Sequence, residues 1–276
     1  MTIVVDEAQT LRQLTDNRYA QASFCWQYLM KNKEIKVNGA KVGRDMPLKA
    51  GDVVTYFLTE KQRNKSAFSL LFEDEQVCII DKESGVNAEA VYAELSRRGE
   101  YYFLHRLDRN TCGLMVFAKT PAAEQTLLAA FRERKVEKSY RCLCFGIPVA
   151  ETAVLTAYLK KDDKSARVTV YDTPVKGTEK IVTEYCMLGR EVFEGEQIVL
   201  LDVTLHTGKT HQIRAHLAHI GCPIVGDMKY GDSAKNRLMR AERQRLVAKR
   251  LRFFLQGELS YLNGKEFCSR FDVETI

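Results

Sequence analysis

His105-Arg106-Leu107-Asp108-Arg109-Asn110-Thr111-Cys112-Gly113 runs directly into the apolar stretch Leu114-Met115-Val116-Phe117-Ala118. The apolar stretch has the length of a buried strand, so the polar segment before it reads as a loop at a sheet edge, with Asp108 flanked by two arginines. Neighbouring positive charge favours the ionised form of a carboxylate, which can then act as a nucleophile, a base or a salt-bridge partner. Taken by itself, the segment reads first as a structural Arg–Asp ion pair.

Outward from this loop the pattern is a mixture of strands and helices. Upstream lie a strand at Gln76 to Ile80 and an amphipathic stretch from Ala88 to Arg98. Downstream, Pro121 opens a helix over Ala122 to Arg134, proline being favoured at a first helical position. Strands follow at Tyr140 to Phe145, Val154 to Leu159, Ala166 to Tyr171, Ile181 to Leu188 and Ile198 to His206. The turns between them carry Gly, Asp and Lys at hairpin-length gaps, which predicts neighbouring antiparallel strands and an α+β fold with a mixed, largely antiparallel sheet.

The first sixty residues read as a separate module. Phe24, Tyr28 and Leu29 recur at helical spacing within Ala22 to Lys31. Ile35 to Val42 then alternates around Asn38-Gly39, the strongest short hairpin signal, and Val53 to Phe57 closes the unit as a strand. The expected organisation is a module over residues 1–58, a polar linker over 59–67 and a larger domain over 68–276.

The chain has 276 residues, a formal net charge of +6 and a sequence pI near 8.8, a balance that attracts polyanions without requiring them. From Lys235 to Arg252 eight basic residues face one acid, Glu242, on what reads as a helix, either a solvated face or a phosphate-contacting one. Eight scattered cysteines include no Cys-x-x-Cys pair, so neither a zinc ribbon nor a redox motif is supported. His206, His211, His216 and His219 crowd fourteen residues, but His211 and His216 are five apart and no acid lies among them, so no metal is expected. No leader-like segment and no long apolar run occur, which points to the cytoplasm and away from a membrane.

His-Arg-Leu-Asp-Arg-x-Thr-x-Gly-Leu at 105–114, followed by Ala118-Lys119-Thr120, resembles the catalytic signature of the RluA-type RNA pseudouridine synthases, with Cys112 where serine is commoner. Three further stretches agree in order: Glu73 to Gly85, Lys138-Ser139-Tyr140, and His206 to Leu217, the last with Lys209 in place of the commoner arginine. The N-terminal module is similar to the alpha-L RNA-binding module of a small-subunit ribosomal protein, matching its Val37-Asn38-Gly39 hairpin and Gly51-Asp52. It departs at Gln21-Ala22-Ser23-Phe24, where that family carries a Ser-Arg pair.

The resemblance implies a pseudouridine synthase fold and isomerisation of particular uridines in structured ribosomal or transfer RNA, by a monomer without cofactor. Asp108 would be the nucleophile, Tyr140 would stack on the flipped base, and Arg214 would pair with the catalytic aspartate through its planar fork. Arg106 would fill the stack the base vacates, and Arg109, Lys209 and His211 would contact the RNA. The competing expectation is a non-catalytic RNA-binding or ribosome-assembly protein of the same fold.

Overall fold

Asn38 and Gly39 both take positive φ, 49° and 82°, and between them close a hairpin whose strands pair Ile35 with Val42 and Val37 with Ala40. Such a turn matches the twist of the strands it joins. In the computed structural model, which describes residues 1–162 and 167–273, contacts divide the chain into two compact units. One holds residues 1–109 with 115–124, the other residues 110–114 with 125–276.

The first unit opens with β1 (Thr2–Val4), β2 (Gln9–Thr10), α1 (Leu11–Arg18), α2 (Ala20–Phe24) and α3 (Trp26–Lys31). The hairpin strands β3 (Ile35–Val37) and β4 (Ala40–Val42), then β5 (Pro47–Leu48) and β6 (Val53–Tyr56), complete a small sheet in the order β1-β6-β3-β4. Its core is built from Ile3, Leu11, Leu14, Leu29, Ile35, Val54 and Tyr56. The single helix expected over Ala22 to Lys31 is two short ones broken at Cys25, and α1 precedes them. Thr10 starts α1 by accepting from the Gln13 amide while the Gln13 side chain accepts from the Thr10 amide, a reciprocal cap that satisfies two otherwise orphaned donors.

The stretch read as a linker carries one helical turn, α4 (Glu60–Arg63), capped in the same way by Thr59. The contact boundary between the units falls later in the chain than this stretch, since β7 (Phe68–Glu73), β8 (Val77–Lys82), α5 (Ala88–Leu95) and β9 (Tyr102–Phe103) belong to the first unit.

The second unit takes the start of β10 (Cys112–Ala118) and most of α6 (Pro121–Arg132). β11 (Val136–Phe145), β12 (Thr152–Asp162), β13 (Arg167–Tyr171), β14 (Glu179–Phe193), β15 (Glu196–Leu205) and β16 (Leu246–Phe253) form its sheet, in the order β13-β12-β14-β15-β11-β16-β10. These pairings are antiparallel except that between β16 and β10. Of the predicted neighbours, β12–β13 and β14–β15 pair directly, whereas β14 lies against β12 instead of β13, and β11 lies against β15 instead of β12; Ala166, the expected start of β13, lies outside the described residues. α7 (Gln212–His219) packs Ala215 into a cluster with Ala157, Leu159, Val168, Val170 and Ile181.

The basic helix expected over 235–252 is corrected. α8 (Ser233–Leu238) is short, and Leu246 to Phe253 is a strand, β16, hydrogen-bonded to β11 along most of its length, with β17 (Glu266–Cys268) beside its later half. Leu246, Val247, Ala248, Leu251 and Phe253 are buried, so the apolar content of this stretch outweighed its charge density.

Candidate active site

The loop that ends before β10 is fastened at several points within the first unit. Leu107 is buried, and the Val116 amide donates to His105 Nε2 at 3.2 Å, tying the start of the loop to the strand that follows it. The carbonyl of Arg109 accepts from the Gly85 amide at 2.8 Å and from Lys82 Nζ at 3.3 Å. Lys82 is wholly buried and its ammonium also donates to the carbonyls of Glu83 and Val86, at 2.9 and 2.8 Å. A buried ammonium is costly unless its donors are met, and here it fixes three backbone carbonyls at once. Asp108 is half-buried between these anchors. Arg106 keeps 66% of its side chain exposed and reaches Glu89 at 3.0 Å, whereas Arg109 turns to Asp16 at 2.5 Å.

In the second unit the signature continues into packing. Thr111 is buried and accepts from Gln244 Nε2 at 3.0 Å. Cys112 packs with Val247 and Val273, in keeping with a small residue needed for fit. At Gly113, with φ 112°, a Cβ would stand 2.3 Å from the Ala248 carbonyl oxygen, so only glycine admits the approach of β16. Tyr140 lies on β11 opposite Val203 and Ala248, 7% exposed, next to a register shift that re-aims its side chain. Lys138, two residues earlier, lines a cavity of about 400 Å³ together with Phe131, His206, Thr207 and Phe254. Burial lowers the pKa of its ammonium.

Arg214 projects from α7 and is 8% exposed. Its Nε and Nη2 donate to the two carboxylate oxygens of Asp227 at 2.7 and 3.0 Å, and its guanidinium lies 5.2 Å from the Tyr230 ring centre. Burial pushes the Asp227 carboxyl up, but the Arg214 bond and charge, with the amides of Tyr230 and Lys229, outweigh it and leave it below the ordinary value. His211 enters α7 in the left-handed conformation, φ 54°, and its Nδ1 shares a 2.8 Å hydrogen bond with the Tyr230 hydroxyl. Lys209 pairs with Glu179 at 2.6 Å. Beneath them Gln212 holds the loop, accepting from the Lys209 amide and the Thr207 hydroxyl and donating to Thr183 and the Val182 carbonyl.

The histidines that invited a metal reading each engage a different partner. His206 bonds Glu184, His211 bonds Tyr230, His216 bonds Thr183 and His219 bonds Asp172. Among the described residues no group of three metal-ligating side chains occurs, and no helix is long and apolar enough to cross a membrane.

Two roles escaped the sequence reading. Asp227, which grips Arg214, was not among the candidate residues, and its one signal was the Gly226 before it. There φ is 75° and a Cβ would stand 1.8 Å from the Arg243 carbonyl oxygen. Asp16, which grips Arg109, gave no signal at all, lying far away in sequence in a different module.

The RNA pseudouridylate synthase family pattern matches residues 76–219, more than half of the chain and the whole span from β8 to the end of α7. The chain belongs to the RNA pseudouridylate synthase family. An uncharacterized RNA pseudouridine synthase of Chlorobaculum parvum is 30% identical over 92% of this chain and 89% of its own length. A ribosomal large subunit pseudouridine synthase C of Vibrio parahaemolyticus is 30% identical over 74% of this chain and 70% of its own. A solved structure, human RNA pseudouridylate synthase domain containing 1, superposes with a TM-score of 0.63 over 74% of this chain and 83% of its own at 24% identity. These relatives place the chain among the RluA-type synthases, isomerases that act on RNA. The fold is the mixed, largely antiparallel α+β fold that the signature implied.

Proposed function

We propose that this synthase isomerises particular uridines to pseudouridine in large-subunit ribosomal RNA, with Asp108 as the nucleophile. The observation that carries the reading is that the matched segment contains Asp108, Tyr140 and Arg214 in signature order, with the Asp108 loop anchored by Lys82 and Gly85. Nucleophilic attack needs a carboxylate held still, and backbone anchoring on its C-terminal side supplies that. The bond that Asp108 forms is broken again as the detached uracil rejoins through carbon 5, so the C1′–N1 bond is replaced by a C1′–C5 bond, the carbon-5 proton is released and N1 takes one up from solvent.

The target uridine must leave its stack, at a cost of a few kcal/mol. Tyr140 offers a face for the extruded base, Arg214 a fixed positive charge, and the exposed Arg106 a planar group for the vacated place in the stack. Lys209 and His211 at the head of α7 are assigned to RNA contact, and residues 1–58 to an RNA-binding module. Ribosomal RNA is favoured over transfer RNA because several similar proteins are named ribosomal large subunit pseudouridine synthases C or D.

The test is tritium release from RNA labelled at carbon 5 of uridine, using RNA from cells lacking the protein, together with a map of the pseudouridines that return when it is restored. Asp108→Asn keeps the shape and removes the charge. It is expected to abolish release while RNA binding stays within about twofold. Release by the Asn variant would refute the nucleophile, and restored sites confined to transfer RNA would refute the target.

A further inference from the structure

Asp16 lies in α1 of the N-terminal module, and its side chain is 14% exposed. Its Oδ2 accepts from Arg12 Nε at 2.6 Å and forms an ion pair with Arg109 Nη1 at 2.5 Å, and its Oδ1 accepts from the Ser23 hydroxyl at 2.6 Å. Arg12 and Ser23 belong to the same module and already give the carboxylate one positive charge and one hydrogen bond. Arg109 is different: it is the neighbour of Asp108, and its own backbone carbonyl is pinned by Gly85 and Lys82. Backbone and side chain of this one residue thus have separate partners, the side chain being held, among the described residues, by the module.

The next two residues of α1 repeat the connection. Asn17 Oδ1 accepts from Asn87 Nδ2 at 3.0 Å, and the Arg18 carbonyl accepts from Arg97 Nη2 at 2.9 Å. The end of α1 is therefore stitched to the segment that leads from β8 to the catalytic loop. A guanidinium beside a nucleophilic carboxylate, when no other acid claims it, competes for that carboxylate; a partly buried acid bridging two arginines removes the competition.

We propose that Asp16 is a positioning residue for isomerisation, acting through Arg109: the N-terminal module sets the direction of the Arg109 side chain and so keeps the Asp108 loop in its reactive arrangement. This rests on the reading of Asp108 as nucleophile. It adds to the module a role in the chemical step, distinct from holding RNA.

The experiment is single-turnover tritium release with full-length enzyme in excess over RNA labelled at carbon 5 of uridine, taken from cells lacking the protein. The plateau rate reports the chemical step, and the half-saturating enzyme concentration reports binding. Asp16→Asn is expected to lower the plateau rate about 10-fold with half-saturation within about twofold. Arg12→Ala, which removes the other cation from the same carboxylate, is expected to leave both within about twofold. In an Arg109→Gln background Asp16→Asn should have no further effect on rate, because its effect passes through that side chain.

A plateau rate unchanged by Asp16→Asn, or lowered equally by Arg12→Ala, overturns the proposal, as does a full additional loss in the Arg109→Gln background. Should Asp16→Asn not fold, Arg109→Gln alone must reproduce the loss of rate at unchanged half-saturation, and failure to do so overturns it too. Turnover by Asp108→Asn removes the nucleophile reading and this inference together. An inactive Asp108→Asn beside a fully active Asp16→Asn removes this inference alone.

Discussion

At the scale of single residues, the pairing of Arg214 with Asp227 carries a consequence for both stability and rate. The pair is bidentate and buried, with no exposure of the Asp227 side chain and 9% of that of Arg214. Removing one member of a buried ion pair leaves a charge without its counter-charge in a poorly hydrated place, which typically costs about 3 kcal/mol or more. Asp227→Asn is expected to lower the free energy of unfolding in urea by about that amount and to slow tritium release more than it weakens RNA binding. A loss confined to binding would show that Asp227 serves the RNA rather than the direction of Arg214.

At the scale of elements, β10 and β16 meet so closely that the glycine of the signature is a packing requirement. Gly113 takes φ 112° and has no room for a Cβ against Ala248, while its neighbour Cys112 sits in an apolar cluster with its thiol 4.0 Å from the Leu246 carbonyl. Gly113→Ala combines an unfavourable backbone conformation with a clash against backbone atoms that cannot move singly, and should destabilise by about 3 kcal/mol or more. Cys112→Ser changes volume little but sets a hydroxyl in an apolar cluster with the Leu246 carbonyl beyond ordinary O–H···O range, so a cost of about 1–2 kcal/mol, smaller than that of Gly113→Ala, is expected. Chemical denaturation of the two variants side by side checks the pair. Equal midpoints would contradict the close approach.

On the scale of the whole molecule, acid stability should depend on a group the chemistry does not use. His216 is buried beneath α7 against Thr183, and burial first, then the nearby His219, lowers its pKa to about 4. Unfolded, the imidazole takes up a proton below about pH 6.5; folded, it resists until about 4. The unfolded state therefore binds more protons between those values, stability rises with pH across the window, and acidification removes of the order of 3 kcal/mol. His216→Gln should flatten the dependence of the urea midpoint between pH 6.5 and 4 relative to the parent. An unaltered slope would place the acid sensitivity elsewhere. The module bears on the whole molecule as well: truncating residues 1–58 strips Asp16 along with any RNA contacts, so point substitutions separate rate from affinity where truncation cannot.

What the sequence determined alone was the family signature and the local elements. The Asp108 loop, the Asn38-Gly39 hairpin, the strands read between Tyr140 and His206 and the start of α6 at Pro121 are written in short-range signals: turn residues, alternation, and one proline. The lysine- and arginine-rich stretch beyond Lys235 misled because charge density speaks of surface, whereas the apolar residues of β16 became buried only once β11 and β10 stood on either side. The partners of Arg214 and Arg109 were beyond reach for the same reason. Asp227 lies thirteen positions from Arg214 and Asp16 lies in another module from Arg109, and no local pattern links them. Ion-pair choice follows from which carboxylate the finished packing brings within about 3 Å while excluding water. That is a property of the assembled tertiary structure, and only there did the acid that holds Arg214 and the acid that holds Arg109 acquire their roles.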